Sequence, residues 1–316
     1  MQLLDRAGLE RCAADWDRCV EADPDVDAFC TRTDWILPFH DAFHPLHAVA
    51  AARASDSFVA LKSQGMLLVP LESMWWFASP LVGSDSVELL LELLAELRAP
   101  FAALAGLPPT ATRTAVLARA LAKSHDLAHS STTVRCVAQL DDLDGFLSRR
   151  SAKHRATLRA AQRRVRDAGI DFESLAPASP AEAAAAYERV LAVERRSWKA
   201  ATDNGVDRGP MREFYARMFP RLAARGALRV LFARRGGEDV GYLSGGLAGA
   251  TFRGLQFSFV RELRPLGLGN VLQLEQVARL SASGVTRYDL GAESPYKTRW
   301  AEGRVTTIGL LARRRG

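Results

Sequence analysis

The sequence predicts a two-lobed α/β protein built from mixed, mostly antiparallel sheets flanked by helices, with a cleft between the lobes. Three observations carry that prediction. Short β-prone runs alternate with helix-periodic ones through residues 1–135. Residues 227–260 read as three apolar strands punctuated at Gly236-Gly237 and Gly249, an antiparallel meander. A length of 316 residues, 48% hydrophobic and 25% charged, suits two medium domains better than one. The expected division is residues 1–140 and 141–316, joined near 135–150.

Taken in order, the first nineteen residues read as a helix, because charges interrupt every apolar run. "LHAVAAR", "SFVALKS" and "GMLLVPLES" follow as short strands separated by polar turns. A helix over 86–98 has Ser84 or Asp85 available as its cap, and a further strand and helix complete the first half. The basic run 148–169 reads as a helix with one thin buried seam, Leu158, Ala161, Val165 and Ala168, ended by Gly169. Ser179-Pro180 opens the next helix, since proline in the first turn lacks only an N–H that has no partner there. Residues 204–210, "NGVDRGP", form a loop, and the helix beginning at Met211 is predicted to kink or break before Pro220. After the meander come a helix, a strand "TRYDLGA", the tight segment "SPYKTRWAEG" and a last strand "VTTIGLLA", with the terminal arginines read as a flexible tail.

Lys and Arg exceed Asp and Glu by 42 to 36, so an anionic substrate or partner is compatible with the charge. Cys12, Cys19, Cys30 and Cys136 show no CxxC pair or disulfide spacing, which fits a reduced, cytoplasmic setting. The most apolar helix-like run, 87–97, is too short to span a bilayer and carries three glutamates, so no membrane insertion is expected. His40, His44 and His47 lack an H-E-x-x-H arrangement, and Pro45 interrupts a shared helical face; no metal is expected.

The most informative junction is "FVRELRPLGLGNVLQLEQVARL" at 259–280. Arg264, Gly267 and Gly269 spell R-x-x-G-x-G after a strand and ahead of a helix whose apolar positions are Val271, Leu274, Val277 and Ala278. First-turn amides of a helix have no intrahelical acceptor and sit at the positive end of its dipole, which suits a diphosphate. Motif and strand order together resemble the Gcn5-related N-acetyltransferase (GNAT) core. The basic helix, "ERRSWK" at 194–199 and "YDLGAESPYKTRW" at 288–300 further resemble the CelD/BcsL acetyltransferases, a group similar to the Fem peptidyltransferases.

The resemblance implies tandem acetyltransferase-like folds, the first without a cofactor loop and the second binding acetyl-CoA or another acyl-CoA. Phe259, Val260, Arg264, Leu266, Gly267, Leu268, Gly269 and Asn270 would then hold the cofactor, with backbone N–H groups near Ser258 to Val260 meeting the oxyanion. An amine of a small molecule, sugar or peptide would attack the thioester directly in the cleft between the lobes. Tyr296 would protonate the thiolate and Lys297 would hold an anionic group. Fem-like members often have a Pro-Gly loop, whereas "RPLGLG" here keeps the full R-x-x-G-x-G form.

Acyl transfer to an amine also needs a proton acceptor. Glu194 falls on the apolar face of its helix, as a partly desolvated general base or as the partner of a buried arginine. Asp289, at a strand end, is either a second candidate base or an orderer of the following turn. Trp198, Lys199 and Trp300 are candidates for the acceptor pocket, the aromatic pair being equally compatible with a core. The arginine-rich helix reads as a solvated face, a clamp for an anionic acceptor or a nucleic-acid surface. The rival functions are a Fem-like transferase using aminoacyl-tRNA and a binding protein without catalysis.

Overall fold

The computed structural model describes residues 1–199 and 205–316, and the chain divides into two units, Met1–Val134 with Thr306–Gly316, and Arg135–Val305. The start of the loop expected at 204–210 lies outside the described residues. In the first unit the order is β1 (Gln2–Leu4), α1 (Arg6–Arg11), α2 (Ala13–Ala22), α3 (Thr33–Phe43), β2 (Val49–Ala54), β3 (Ser57–Gln64), β4 (Leu67–Pro70), β5 (Leu81–Val82), α4 (Ser86–Glu96), β6 (Phe101–Leu107) and α5 (Thr112–Leu121). β7 (His125–Gln139) then carries the chain into the second unit. There follow α6 (Leu143–Ser148), α7 (Ala152–Asp167), β8 (Ile170–Leu175), α8 (Pro180–Glu194), α9 (Gly209–Ala224), β9 (Leu228–Arg235), β10 (Glu238–Ala248), β11 (Thr251–Phe259), α10 (Leu268–Ala282), β12 (Arg287–Ala292) and β13 (Gly303–Arg314), which returns to the first unit.

The sheet of the first unit runs β1-β2-β3-β4-β6-β13, with β4 and β6 parallel and its other registered pairs antiparallel. α4 packs Val87, Leu90 and Leu94 into its core beside Val59, Leu61 and Leu104. Each such fully buried side chain contributes about 1.5–3 kcal/mol against exposure. Two expectations are corrected here. A short strand precedes the N-terminal helices, and Arg313 and Arg314 are the last residues of a sheet strand, not part of a tail. Arg313 pairs in register with Phe101, and Asp126 accepts from Arg313 at 2.6 Å and Arg315 at 3.0 Å. Residues 306–314, expected in the second domain, therefore complete the first sheet.

The second unit carries the order β7-β12-β11-β10-β9-β8, in which β11 and β12 are parallel and the other pairs antiparallel. The expected meander is present as β9 to β11. The seam of α7 is the predicted one: Leu158, Ala161 and Val165 are buried against a core that includes Val271, Leu274 and Val277 of α10, with Ala168 packed at its edge. Ser179 caps α8, its hydroxyl accepting from the Glu182 amide at 3.2 Å. α9 does not break at Pro220; the helix is continuous through it. An interior proline costs about 3 kcal/mol, and burial of Phe214, Met218, Phe219 and Leu222 on the same helix offsets that.

Candidate functional site

The site begins where two parallel strands part. β11 and β12 are in register only from Thr251–Arg287 to Arg253–Asp289, yet β11 continues to Phe259 and β12 to Ala292. A bulge between Asp289 and Gly291, against β7, bends β12 at that point. The gap between the strands opens into a cavity of about 570 Å³. Gly254, Gln256, Phe257 and Phe259 of β11 line it on one side, Tyr288 and Leu290 of β12 on the other. The described residues that line it all belong to the second unit.

One end of the cavity reaches the glycine loop. The strand does not pass straight into the helix as expected: a 3-10 turn over Arg261–Leu266 intervenes, and Gly267 then caps α10 at φ 76°. That left-handed conformation costs a residue with a Cβ roughly 1–2 kcal/mol, and a Cβ at Gly267 would also stand 3.2 Å from Ala161 of α7. At Gly269 a Cβ would press within 2.9 Å of the Phe259 ring and 3.1 Å of the Phe257 ring. The second glycine thus lets α10 close onto β11, a packing reason that the motif alone did not reveal. Arg264, Gly267, Gly269 and Asn270 line the cavity. Leu268 is wholly buried and Leu266 packs on the same core, so neither lies at the wall. Arg164 of α7 donates from Nε to the Leu266 carbonyl at 3.3 Å, bringing the basic helix beside the loop.

The direction of the β11 amides follows from strand alternation. Val260 N–H donates to the Val240 carbonyl at 2.9 Å, so it faces β10 and is engaged. Phe259 and Phe257, one and three residues earlier on an unbulged stretch of β11, turn their amides the other way, toward the gap beyond the last registered pair with β12. Val260 is therefore corrected as an oxyanion donor, and Phe259 remains.

The other end is built by the segment after α8. Ser197 bridges Val260, and the Arg261 amide donates to the Arg196 carbonyl at 3.2 Å, tying "RRSWK" to the end of β11. Trp198 and Lys199 thereby reach the cavity wall. Lys199 Nζ donates to Gln256 Oε1 at 2.8 Å and stands 3.7 Å from Glu194. Burial pushes its ammonium pKa down, with Glu194 opposing. Glu194 itself is fully buried, takes hydrogen bonds from Tyr242 Oη at 3.2 Å and the Val206 amide at 3.3 Å, and does not line the cavity.

Tyr296 and Lys297, from the turn after β12, also line the cavity. Tyr296 stacks on Phe257 at 5.6 Å, its hydroxyl donates to the Gly269 carbonyl at 3.4 Å, and burial raises its pKa so that the phenol keeps its proton. Lys297 Nζ donates to the Ala292 carbonyl at 3.0 Å, and its pKa is lowered to about 8 by burial and then by Arg253. Asp289 is 5% exposed: Oδ2 meets Arg135 and, at 2.9 Å, Arg253, while Oδ1 accepts from the Gly291 amide at 2.8 Å. Trp300 is corrected from pocket to core, 1% exposed, against Phe146 and edge-on to His154 at 5.3 Å.

Gln256, Gln273 and Tyr288 line the cavity without having been singled out, Tyr288 Oη donating to Gln273 Oε1 at 2.7 Å. Two glutamines inside otherwise apolar elements were the available signal. The three histidines lie close together, His44 stacking on His47 at 5.0 Å, but they take different hydrogen-bond partners: His40 bonds the His47 carbonyl at 2.9 Å and His44 approaches Ser73 Oγ at 3.4 Å. Among the described residues no three metal-type side chains converge, and no helix is long and apolar enough to cross a membrane.

An antiparallel meander, a helix with a glycine-capped start and a parallel strand that parts from its neighbour define a group-transferase fold of the acetyltransferase type. Residues 152–298 match the family model described as an acetyltransferase (GNAT) domain. Similar solved structures include FemX, at TM-score 0.66 and 11% identity over 95% of each chain. A C-terminal domain from Agrobacterium fabrum assigned as a lysylphosphatidylglycerol synthetase gives 0.62 and 14%, covering 96% of this chain and 91% of that one. A tandem GNAT protein from the clavulanic acid biosynthesis pathway gives 0.50 and 15% over 100% and 99%. These likenesses show the fold. Sequence comparison with curated proteins found no match.

Proposed function

We propose that the protein is an acyl-CoA-dependent N-acyltransferase in which an amine attacks the thioester directly. The observation that carries this reading is the continuity of one cavity from the amide start of α10, along β11, to the lysine-bearing segment after α8. The pyrophosphate would lie against Gly267 to Gly269, with Arg164 and Arg264 adding charge. The Phe259 amide would receive the oxyanion. The amine enters neutral; as its C–N bond forms and the C–S bond breaks, Tyr296 gives its proton to the departing thiolate and recovers one from the nitrogen. Glu194, behind Lys199, acts as a positioning residue in this scheme.

A second reading, transfer of an aminoacyl group, is favoured by FemX and the Agrobacterium fabrum domain among the similar folds. The intact R-x-x-G-x-G favours CoA. Calorimetry with acetyl-CoA decides between them. Wild type should bind, and the double variant Arg164→Glu/Arg264→Glu, both exposed positions, should bind at least about tenfold more weakly, a loss of roughly 1.4 kcal/mol. Absence of acetyl-CoA binding, with charged tRNA binding that weakens steeply with salt, would replace the first reading by the second.

A further inference from the structure

Lys62 and His44 of the first unit have no part in the acyl-transfer scheme, and they meet at one serine. Lys62, on β3, has no exposed surface; its Nζ stands 2.8 Å from Ser73 Oγ and 3.1 Å from the Leu71 carbonyl. His44, at the end of α3, brings Nε2 to 3.4 Å from the same hydroxyl. Ser73 is partly exposed and Met74 beside it half exposed, so the hydroxyl lies between a buried amine and the surface.

The backbone that presents Ser73 is firmly held. Glu72, fully buried, accepts from the amides of Met74 at 2.8 Å, Trp75 at 2.7 Å, Trp76 at 3.3 Å and Phe77 at 2.9 Å. Trp76 adopts a left-handed φ of 59°, a strained conformation that persists only where its surroundings fix it. With both Glu72 oxygens engaged by amides, the carboxylate offsets only part of the cost of burying Lys62, and the lysine pKa is lowered to about 8. His44 is neutral above about 4, held so by burial first and then by Lys62, with His47 and His40 behind it. Near neutral pH a fraction of Lys62 is therefore the free amine, which keeps N–H groups for the Leu71 carbonyl and turns a lone pair toward Ser73. The separation of 2.8 Å is within the reach required of a general base.

We propose that Ser73 and Lys62 form a second reactive centre, in which Ser73 takes an acyl group from an ester and Lys62 takes the serine's proton. Serine–lysine pairs make a hydroxyl nucleophilic in this way. As the bond from Oγ to the acyl carbon forms, the proton passes to Lys62 Nζ, and the ammonium remains beside the new bond. Collapse breaks the bond to the leaving alcohol, which receives that proton. Water then attacks the acyl-serine, giving one proton to Lys62, and the acid departs as Oγ recovers it. His44, accepting from the hydroxyl while Lys62 is protonated, is a positioning residue. Phe39 stacks on Phe43 at 4.5 Å and meets Trp75 and His44 at 5.8 Å, an aromatic surround that favours an apolar acyl group. The centre lies wholly in the first unit and needs no CoA.

The test uses the full chain and diisopropyl fluorophosphate, with modified serines located by peptide mass spectrometry. Ser63, also partly exposed and donating to the neutral Gly65 carbonyl at 3.2 Å, is the internal reference. Ser73 should be modified at least tenfold faster than Ser63, and its rate should rise about tenfold from pH 7 to 9 as the amine loses its proton. The rate should fall at least tenfold in Lys62→Met, with the fold checked by near-ultraviolet circular dichroism, and stay low in Lys62→Arg, a cation at every pH used. Release of p-nitrophenol from p-nitrophenyl butyrate should follow the same pH profile and drop to the uncatalysed rate in Ser73→Ala. Modification of Ser73 no faster than Ser63, or a rate in the wild type that ignores pH, overturns the proposal without reference to any variant. Equal rates in wild type and folded Lys62→Met, absence of p-nitrophenol release, or release that survives Ser73→Ala overturns it as well.

Discussion

The Tyr242 hydroxyl donates to the Glu194 carboxylate at 3.2 Å in the interior of the second unit, where both side chains are wholly buried. The tyrosine's pKa is raised well above its usual value by burial first and by the neighbouring carboxylate second, so it remains a donor. With Lys199 3.7 Å away on the other oxygen, the carboxylate is the hinge of a buried polar chain that ends at the cavity wall.

That chain predicts strong coupling. Removing the carboxylate in Glu194→Ala leaves a buried ammonium and a buried hydroxyl without it and should cost about 3–5 kcal/mol. Tyr242→Phe should cost about 1.5–3 kcal/mol, the worth of a hydrogen bond to a charged group. The double variant should be less destabilised than the sum by at least about 0.5 kcal/mol. Urea unfolding of the four proteins measures this, and strict additivity would mean that the contact carries no energy.

Asp289 gives a prediction that separates scaffold from chemistry. Its Oδ2 meets two guanidiniums at once, and its Oδ1 fixes the Gly291 amide at the bulge that bends β12. Asp289→Asn keeps the shape but leaves Arg135 and Arg253 facing each other across a neutral group, at a cost of about 3–5 kcal/mol. Turnover per folded molecule should change only a few-fold. Unfolding curves together with kinetics corrected for the folded fraction test it; near-normal stability with a hundredfold loss of turnover would make Asp289 the proton acceptor instead.

What was legible in the sequence follows from how local each signal is. The meander, the seam of Leu158, Ala161 and Val165, the Ser179 cap and the position of the glycine loop depend on neighbours within one or two turns, and each has its physical cause in adjacent residues. Partners distant in sequence were not legible. Nothing around Glu194 announces Tyr242, 48 residues on, and an arginine was the expected partner. Trp300 carried an aromatic signature that a pocket and a core share, and packing against Phe146 decides it. The run of arginines at the end read as a flexible tail because charge alone does not reveal an ion-pair partner as distant in sequence as Asp126. Pro220 read as a break because the cost of one proline is local, whereas the apolar face that offsets it is a property of the whole helix.

The interior of the first unit supplies a pH prediction that is independent of any ligand. Lys62 has no exposed surface; its Nζ donates to the Leu71 carbonyl at 3.1 Å and Ser73 Oγ at 2.8 Å and lies 5.4 Å from the Phe39 ring centroid. Glu72 offers some compensation, but its Oε1 already accepts from the Met74 and Trp75 amides at 2.8 and 2.7 Å. Burial therefore lowers the lysine pKa from 10.5 to about 8 despite that carboxylate. Between those two values the unfolded chain binds the proton that the folded chain has released, so stability rises with pH across the window. Below about 8 both states are protonated and the full penalty of a buried ammonium applies; above 10.5 it is gone. The gain should be on the order of 3 kcal/mol. It is read as the difference between wild type and Lys62→Met in urea unfolding at a series of pH values from 7 to about 10.5, which cancels the titration of groups common to both. A difference that stays flat across this range would show that Lys62 keeps its ordinary pKa and that its ammonium is solvated or paired inside the fold.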